Sequence, residues 1–216
     1  MDLYFIDLDG VILNTVQLIT DFKALLIQNG VPLEKVLEFY TKKKSPIQYR
    51  SRTYYLISEP YSVLGLLGIN AKKVPGIIEE IENFLGKMEN YIFADAADFL
   101  KQHQNENLYL VSYGGIGWQN KKVDSANLRQ HFKEVIITHG REKSNAISEI
   151  IQKTSADPFN CCFFDDQNKE IISVKDAFPE IKTFLIVRPN SKFDYGVCGK
   201  HDFKISDLSK AKLLLS

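Results

Sequence analysis

Cysteine is scarce in this chain, and the little there is does not form a pattern. Cys161 and Cys162 are adjacent and Cys198 is distant, which gives neither an even disulfide framework nor a Cys-x-x-Cys metal knuckle. The three read as buried thiols of a reducing compartment. A surplus of either charge is missing too, since 27 Lys and Arg face 27 Asp and Glu. A protein that neutralises many phosphates needs a basic excess, so nucleic acid is not expected as a bulk partner, although a local basic patch is compatible with the balance. No stretch approaches the roughly 18 uninterrupted apolar residues of a membrane helix, and no basic start precedes an apolar run. The expectation is a cytoplasmic protein with no membrane partner. Repeats and low-complexity segments are also lacking. With 44% hydrophobic and 25% charged residues, the chain has the composition of an ordinary globular protein. Its oligomeric state is not legible.

What is present is a rhythm of short apolar runs. Leu3-Tyr4-Phe5-Ile6 is one, followed by Leu108 to Val111, Val135 to Ile137, Cys162 to Phe164 and Phe184 to Val187. Runs of this length with no alternation suit strands buried on both faces. Helical spacing appears over Val123 to Phe132, Asn145 to Gln152 and Lys169 to Phe178. Strands alternating with helices predict an α/β fold, a Rossmann-like three-layer sandwich with a mainly parallel sheet.

The interval from Asp7 to Asn107 breaks the rhythm, because it is several times longer than a crossover needs. Its content reads as helices over Thr15 to Asn29, Leu33 to Lys42, Tyr61 to Leu67 and Val74 to Leu85, punctuated by Gly30, Pro32, Pro46, Pro60 and Gly68. A small all-helical cap subdomain is therefore expected over residues 16–90. The α/β core would comprise 1–15 and 91–216, with hinges near Asn14-Thr15 and Tyr91 to Asp95. Ser206 to Leu215 reads as a terminal helix with Ser206 as its N-cap.

Ligands of parallel sheets bind beyond the carboxyl ends of the strands. The residues there are Asp7 and Asp9, then Ser112, then Asp165 and Asp166, with Lys143 just before a helix. Carboxylates, a hydroxyl and an ammonium on one sheet edge suit a divalent cation beside a phosphoryl group. Gly114-Gly115-Ile116-Gly117 lacks the Gly-x-Gly-x-x-Gly spacing of a dinucleotide loop and reads as a flexible loop. His139 has no partner at ligand spacing and reads as structural. Trp118 reads as the staple of a helix start.

Four of these segments together resemble the haloacid dehalogenase-like superfamily of phosphohydrolases. They are Phe5-Ile6-Asp7-Leu8-Asp9-Gly10-Val11-Ile12-Leu13-Asn14-Thr15, Leu110-Val111-Ser112-Tyr113-Gly114, Lys143 at a helix start, and Phe163-Phe164-Asp165-Asp166-Gln167-Asn168-Lys169-Glu170. The resemblance implies that Asp7 is a nucleophile forming an aspartyl-phosphate and that Asp9 is the general acid and base. It implies phosphate binding by Ser112, by the N–H of Tyr113 or Gly114, and by Lys143. It further implies Mg²⁺ held by Asp7, Asp165, Asp166 and the main-chain carbonyl of Asp9. Relatives often carry Gly-Asp and a second acid four residues on, so the choice among Asp166, Asp165 and Glu170, in that order, stays open. Tyr113 replaces a frequent Asn, and Lys143 lacks a following Pro, so Arg141 could share its charge-neutralising role. In the insertion, Lys42-Lys43-Lys44 and Arg50 to Tyr55 form a basic, aromatic stretch. Its simplest reading is a solvated surface; the sharper one makes Arg50 or Arg52 recognise a second charged group of the substrate.

The resemblance implies a Mg²⁺-dependent phosphoric monoester hydrolase acting on a small phosphorylated metabolite. The alternatives are a sugar phosphomutase of the β-phosphoglucomutase type and a non-catalytic phosphate-binding relative. Dehalogenases generally need no acid two residues beyond the nucleophile, and a receiver domain places its acidic pair first. Both are disfavoured.

Overall fold

The computed structural model describes residues 2–41, 52–104, 106–139, 142–189, 199–211 and 214, without the side chains of residues 52, 54 and 55. Six strands form one sheet: β1 (Leu3–Ile6), β2 (Asn107–Tyr113), β3 (Glu134–Thr138), β4 (Cys161–Asp165), β5 (Lys182–Ile186) and β6 (Phe203–Ile205). All adjacent pairs are parallel, in the order β3-β2-β1-β4-β5-β6. The order reverses between β1 and β4, so the crevice beyond their carboxyl ends is where such a sheet takes a ligand.

The strands lack alternation because both faces are covered. Leu3, Phe5, Tyr109, Val111 and Phe163 pack against Ile147 and Ile150 of α8 (Lys143–Thr154) and Ile171 and Val174 of α9 (Asn168–Ala177). Tyr4, Ile6, Leu110 and Phe164 face the opposite way, toward Phe99 of α6 (Ala94–Gln102) and Trp118 and Val123 of α7 (Ile116–Ser125). The α/β class and its layers are those the apolar runs predict.

Among the described residues, five α-helices lie between β1 and α6: α1 (Thr15–Gln28), α2 (Leu33–Thr41), α3 (Arg52–Ser58), α4 (Pro60–Leu66) and α5 (Val74–Leu85). Their buried faces, including Phe22, Val63, Ile77 and Ile81, continue the apolar cluster that begins on the sheet. The two segments joining these helices to the sheet run side by side. Leu13 and Ile92 form an antiparallel bridge, the Asn14 N–H donates to the Tyr91 carbonyl at 2.8 Å, and the Phe93 N–H donates to the Ile12 carbonyl at 2.9 Å.

Four expectations need correction. The helix placed over Val123 to Phe132 is α7, which starts earlier at Ile116 and ends at Ser125; only a 3₁₀ turn, Arg129–His131, follows. Gly115 caps α7 and Gly117 lies inside it, so the expected flexible glycine loop is in part a helical turn. The terminal helix from Ser206 is, among the described residues, one 3₁₀ turn (Leu208–Lys210) preceded by Asp207. β6 was not anticipated, because three residues carry too little pattern. It is held by aromatic stacking, with Phe164 on Phe184 at 4.5 Å and Phe184 on Phe203 at 4.8 Å between centroids.

Arg188, just past β5, fixes the joining segments. Its guanidinium is 7% exposed, donates to both oxygens of Asp95 at 2.8 Å and to the Val11 carbonyl at 2.6 Å, and lies 4.0 Å from the Phe93 ring centroid. Asp95 also accepts the Leu208 N–H at 2.7 Å. Removing one partner of such a pair leaves a poorly hydrated charge. Arg188→Leu is expected to lower the unfolding free energy by about 3 kcal/mol in urea titration; a loss below about 1 kcal/mol would mean the pair is effectively solvated.

Candidate active site

The chain leaves β1 as Asp7, whose N–H still donates to the Phe164 carbonyl of β4 at 2.9 Å. It then turns sharply: the Ile12 and Leu13 N–H groups both donate to the Leu8 carbonyl, and Gly10 has φ +79°. A Cβ on Gly10 would sit 2.2 Å from Asp166 Oδ2. Glycine is required here twice over, for its left-handed backbone and for the approach of the acid.

Asp7, Asp165 and Asp166 are 2%, 0% and 3% exposed. Each offers a carboxylate oxygen within 4.8 Å of the others. Lys143, the first residue of α8, is fully buried and donates from Nζ to Asp7 Oδ1 and Asp165 Oδ2, both at 2.6 Å. Burial pushes the Asp7 carboxyl up to about 7 despite Lys143, with Asp165 and Asp9 adding to the rise. Burial, then Asp165 and Asp7, push Asp166 up to about 9. Burial opposes the charge on Lys143, but its two carboxylates outweigh it and hold the ammonium protonated.

Both Asp166 oxygens are buried without a hydrogen-bond partner. An ionised carboxylate in that condition is costly, and a hard cation satisfies it directly. An all-oxygen donor set fits Mg²⁺ better than a softer metal. Of the three late acids, Asp165 and Asp166 join the cluster, while Glu170 is turned to Lys169 at 2.7 Å.

Asp9 stands apart from this cluster, with its side chain 26% exposed. Its Oδ1 accepts from Thr15 Oγ1 at 2.6 Å and Lys122 Nζ at 2.5 Å; its Oδ2 accepts from Lys122 Nζ at 2.6 Å and Gln119 Nε2 at 2.9 Å. Burial raises this carboxyl, but Lys122, Thr15 and Gln119 overcome it, and Asp9 lies below the usual carboxylate range. The two acids at the end of β1 are thus driven in opposite directions.

Ser112, near the end of β2, is 1% exposed, and its Oγ accepts from Gln119 Nε2 at 2.8 Å. Tyr113 lies under the Lys169 ammonium, 5.1 Å from its ring centroid. The Gly114 N–H donates to the Thr138 carbonyl at 3.1 Å, which removes it from the candidate phosphate donors. His139 Nδ1 lies 3.2 Å from the Gly114 carbonyl. Arg50 and Arg141, like Lys42 to Lys44 and Cys198, lie outside the described residues, as does the side chain of Arg52. Cys161 and Cys162 are free and buried, far from thiolate character, with burial pushing them up to about 11 and about 12.

Sequence reasoning missed Gln119 and Lys122. Their signal was a helix beginning at Ile116, which puts positions 119 and 122 one turn apart on one face. Starting the helix at Val123 hid it. Lys122 is 1% exposed and also lies 5.5 Å from the Trp118 ring centroid.

The haloacid dehalogenase-like hydrolase family matches residues 1–177, and the chain belongs to that family. Its fold is shared with solved structures at low identity. A haloacid dehalogenase-like hydrolase from Burkholderia xenovorans superposes with TM-score 0.68 at 15% identity, covering 99% of this chain and 98% of that one. The magnesium-bound hydrolase YfnB from Bacillus subtilis gives TM-score 0.66 at 15% identity, covering 100% and 98%. A Thermotoga maritima protein bearing the name β-phosphoglucomutase gives 0.63 at 13%, covering 100% and 98%. Other similar structures bear the names dehalogenase and phosphoglycolate phosphatase, so likeness of fold does not choose the reaction. None of the curated protein sequences compared with the chain matches it. Among the described residues no helix is long and apolar enough to cross a membrane.

The charge cluster predicts a stability that varies with pH and responds to a divalent cation. Unfolded carboxyls titrate near ~4, whereas folded Asp166 and Asp7 hold protons up to about 9 and about 7. The native state therefore binds more protons across pH 5 to 8, and its stability falls as pH rises through that window. Lys143 contributes evenly there, because its extra stability is lost only above the ordinary lysine range. The melting temperature of EDTA-treated protein should drop from pH 5 to pH 8. Mg²⁺ should raise it most at pH 8; at 100 times its Kd a bound ion adds about 2.7 kcal/mol to the unfolding free energy. A melting temperature that rises over this range, or ignores Mg²⁺, would contradict the cluster.

Proposed function

We propose that the protein is a Mg²⁺-dependent phosphatase that hydrolyses a small phosphorylated metabolite through an aspartyl-phosphate on Asp7. The observation that carries the reading is the junction of two arrangements at the end of β1. A buried three-carboxylate cluster sits around Asp7 and Lys143, and a separately held Asp9 stands two residues on. The first suits a nucleophile beside a hard cation, and the second a proton carrier.

Asp7, Asp165 and Asp166 would hold the cation, with the Asp9 main-chain carbonyl. Bound there, Mg²⁺ would offset the repulsion between the carboxylates and the phosphoryl oxygens. A free Asp7 oxygen attacks phosphorus while Lys143 and the Ser112 hydroxyl bind charge on the transferring oxygens, assisted by the Tyr113 N–H. The bond from phosphorus to the leaving oxygen breaks, and that oxygen takes a proton from Asp9. Asp9, now ionised, takes a proton from water as the water oxygen attacks phosphorus, and is protonated again for the next turnover. Phosphate leaves and the Asp7 carboxylate is regenerated.

Residues 16–90 act in this reading as a cap over the crevice, entered and left through the paired segments at Leu13 and Ile92. Arg50, Arg52 and Arg141 are the candidates for selecting a second charged group on the substrate. The cap would exclude bulk water and shape the leaving-group pocket.

Purified protein with Mg²⁺ should release inorganic phosphate from members of a phosphomonoester panel, and EDTA should abolish release. Asp7→Asn should lower turnover at least 10³-fold, as loss of a nucleophile does. Full turnover by Asp7→Asn would sink the mechanism, and isomerised sugar phosphate without net phosphate release would mean a mutase instead.

A further inference from the structure

Gln119 belongs to none of the motifs from which the site was read, yet among the described residues it is the one side chain that hydrogen-bonds both the Asp9 carboxylate and the Ser112 hydroxyl. It projects from the first turns of α7 and is 2% exposed. Its Nε2 lies 2.9 Å from Asp9 Oδ2, 2.8 Å from Ser112 Oγ and 3.0 Å from the Tyr113 carbonyl. Its two N–H groups are shared among these three oxygens, at least one contact being bifurcated, and the amide orientation is fixed because a flipped carboxamide would set its oxygen against a carboxylate and a carbonyl. The side chain lies directly on Gly114, where an added Cβ would come within 3.0 Å of Gln119 Cγ. The Gln119 Oε1 is buried without a partner, so the carboxamide is held in a position that leaves its own acceptor unsatisfied.

A serine hydroxyl has one proton and two acceptor sites. When an N–H of Gln119 occupies an acceptor site of Ser112 Oγ, the hydroxyl proton cannot be directed at Gln119. It is left to donate elsewhere. Beyond the carboxyl end of β2 the group that needs a donor is a phosphoryl oxygen in the crevice. The same amide nitrogen tethers Asp9 Oδ2, while Lys122, one turn further along α7, spans both Asp9 oxygens. Asp9 thus keeps a second anchor without Gln119, whereas Gln119 Nε2 is the one side-chain donor the described residues place on Ser112 Oγ.

We propose that Gln119 is a positioning residue for phosphoryl transfer: it orients the Ser112 hydroxyl as a hydrogen-bond donor to the phosphoryl group. This inference rests on the phosphatase reading. It assigns Gln119 no contact with substrate, and its effect passes through Ser112.

The test is a double-mutant cycle on the full chain with Mg²⁺ and p-nitrophenyl phosphate, reading kcat, KM and melting temperature. Gln119→Met keeps the length of the side chain and removes both the donors and the unsatisfied oxygen, so the fold should survive. Its kcat/KM should fall about tenfold, a fraction of the 10²- to 10³-fold cost of removing a transition-state donor outright. In the Ser112→Ala background the same change should cost less than about twofold, because there is no hydroxyl left to orient. Gln119→Glu keeps the shape but turns donors into acceptors, inviting the Ser112 proton away from the site. It should lose more than Gln119→Met at a comparable melting temperature. If Gln119→Met loses less than twofold with Ser112 present, or equally in both backgrounds, the inference is wrong. Gln119→Glu matching wild type would also overturn it, and remains decisive if Gln119→Met does not fold. Failure of the wild type to hydrolyse any phosphomonoester would instead bring down the phosphatase reading, and this inference with it.

Discussion

The burial of three carboxylates around one ammonium is the constraint on which the rest of the site depends. Like charges this close cannot all be ionised in a low-dielectric crevice without compensation. Lys143 supplies part of it through two short contacts. The sheet makes the gathering possible: β1 and β4 are adjacent and in register from Leu3 with Cys161 to Ile6 with Phe164. Asp7 and Asp165 therefore leave the sheet side by side. Apolar packing on both faces holds that register, and its cost to the polar groups is met only at the strand ends.

A second cation, Lys122, separates the roles of two acids in the same turn. Asp7 shares its ammonium with Asp165 and sits among like charges, whereas Asp9 has an ammonium to itself together with Thr15 and Gln119. Two residues of chain are enough to pass from one environment to the other, because the backbone turns at Gly10. Under the proposed mechanism, Asp7 among carboxylates would draw a counter-charge from outside the chain, whereas Asp9 is paired within it.

Most of this fold was legible because buried parallel strands leave a pattern that survives without an alignment. Leu3 to Ile6 and Cys162 to Phe164 could hardly be anything else. The helices α1, α2, α4 and α5 were legible from their apolar spacing within one or two residues at most ends. The failures have separate physical causes. α7 opens on Gly115, Ile116 and Gly117, residues that propensity assigns to a turn, and its buried face carries Trp118, Gln119, Lys122 and Val123. Two of those are polar, so the helix has a weak apolar stripe because it faces the active site. β6 is three residues long and stands on a stack of phenylalanines rather than on its own pattern. In α7 the residues hardest to read were thus those whose burial is compensated by specific partners beside the candidate site, whereas β6 was hidden by its length.

The loop from Asp7 to Thr15 joins these threads. It carries the nucleophile candidate at one end, the proton carrier in the middle and the first residue of the inserted helices at the other. Thr15 hydrogen-bonds Asp9 directly, and Val11 is tied to Arg188, which in turn holds Asp95 and packs on Phe93. With Asp7 tied to Phe164 and Val11 tied to Arg188, any displacement of α1 relative to the sheet must be absorbed between Val11 and Thr15. The Asp9 contacts to Lys122 and Gln119 arise from the sheet side, on α7, while the contact from Thr15 arises from the insertion side. The carboxylate is one of several points where the two parts of the chain meet through side chains, beside the Lys121–Glu82 ion pair at 3.0 Å and the Asn127 contact with Glu89 at 3.3 Å.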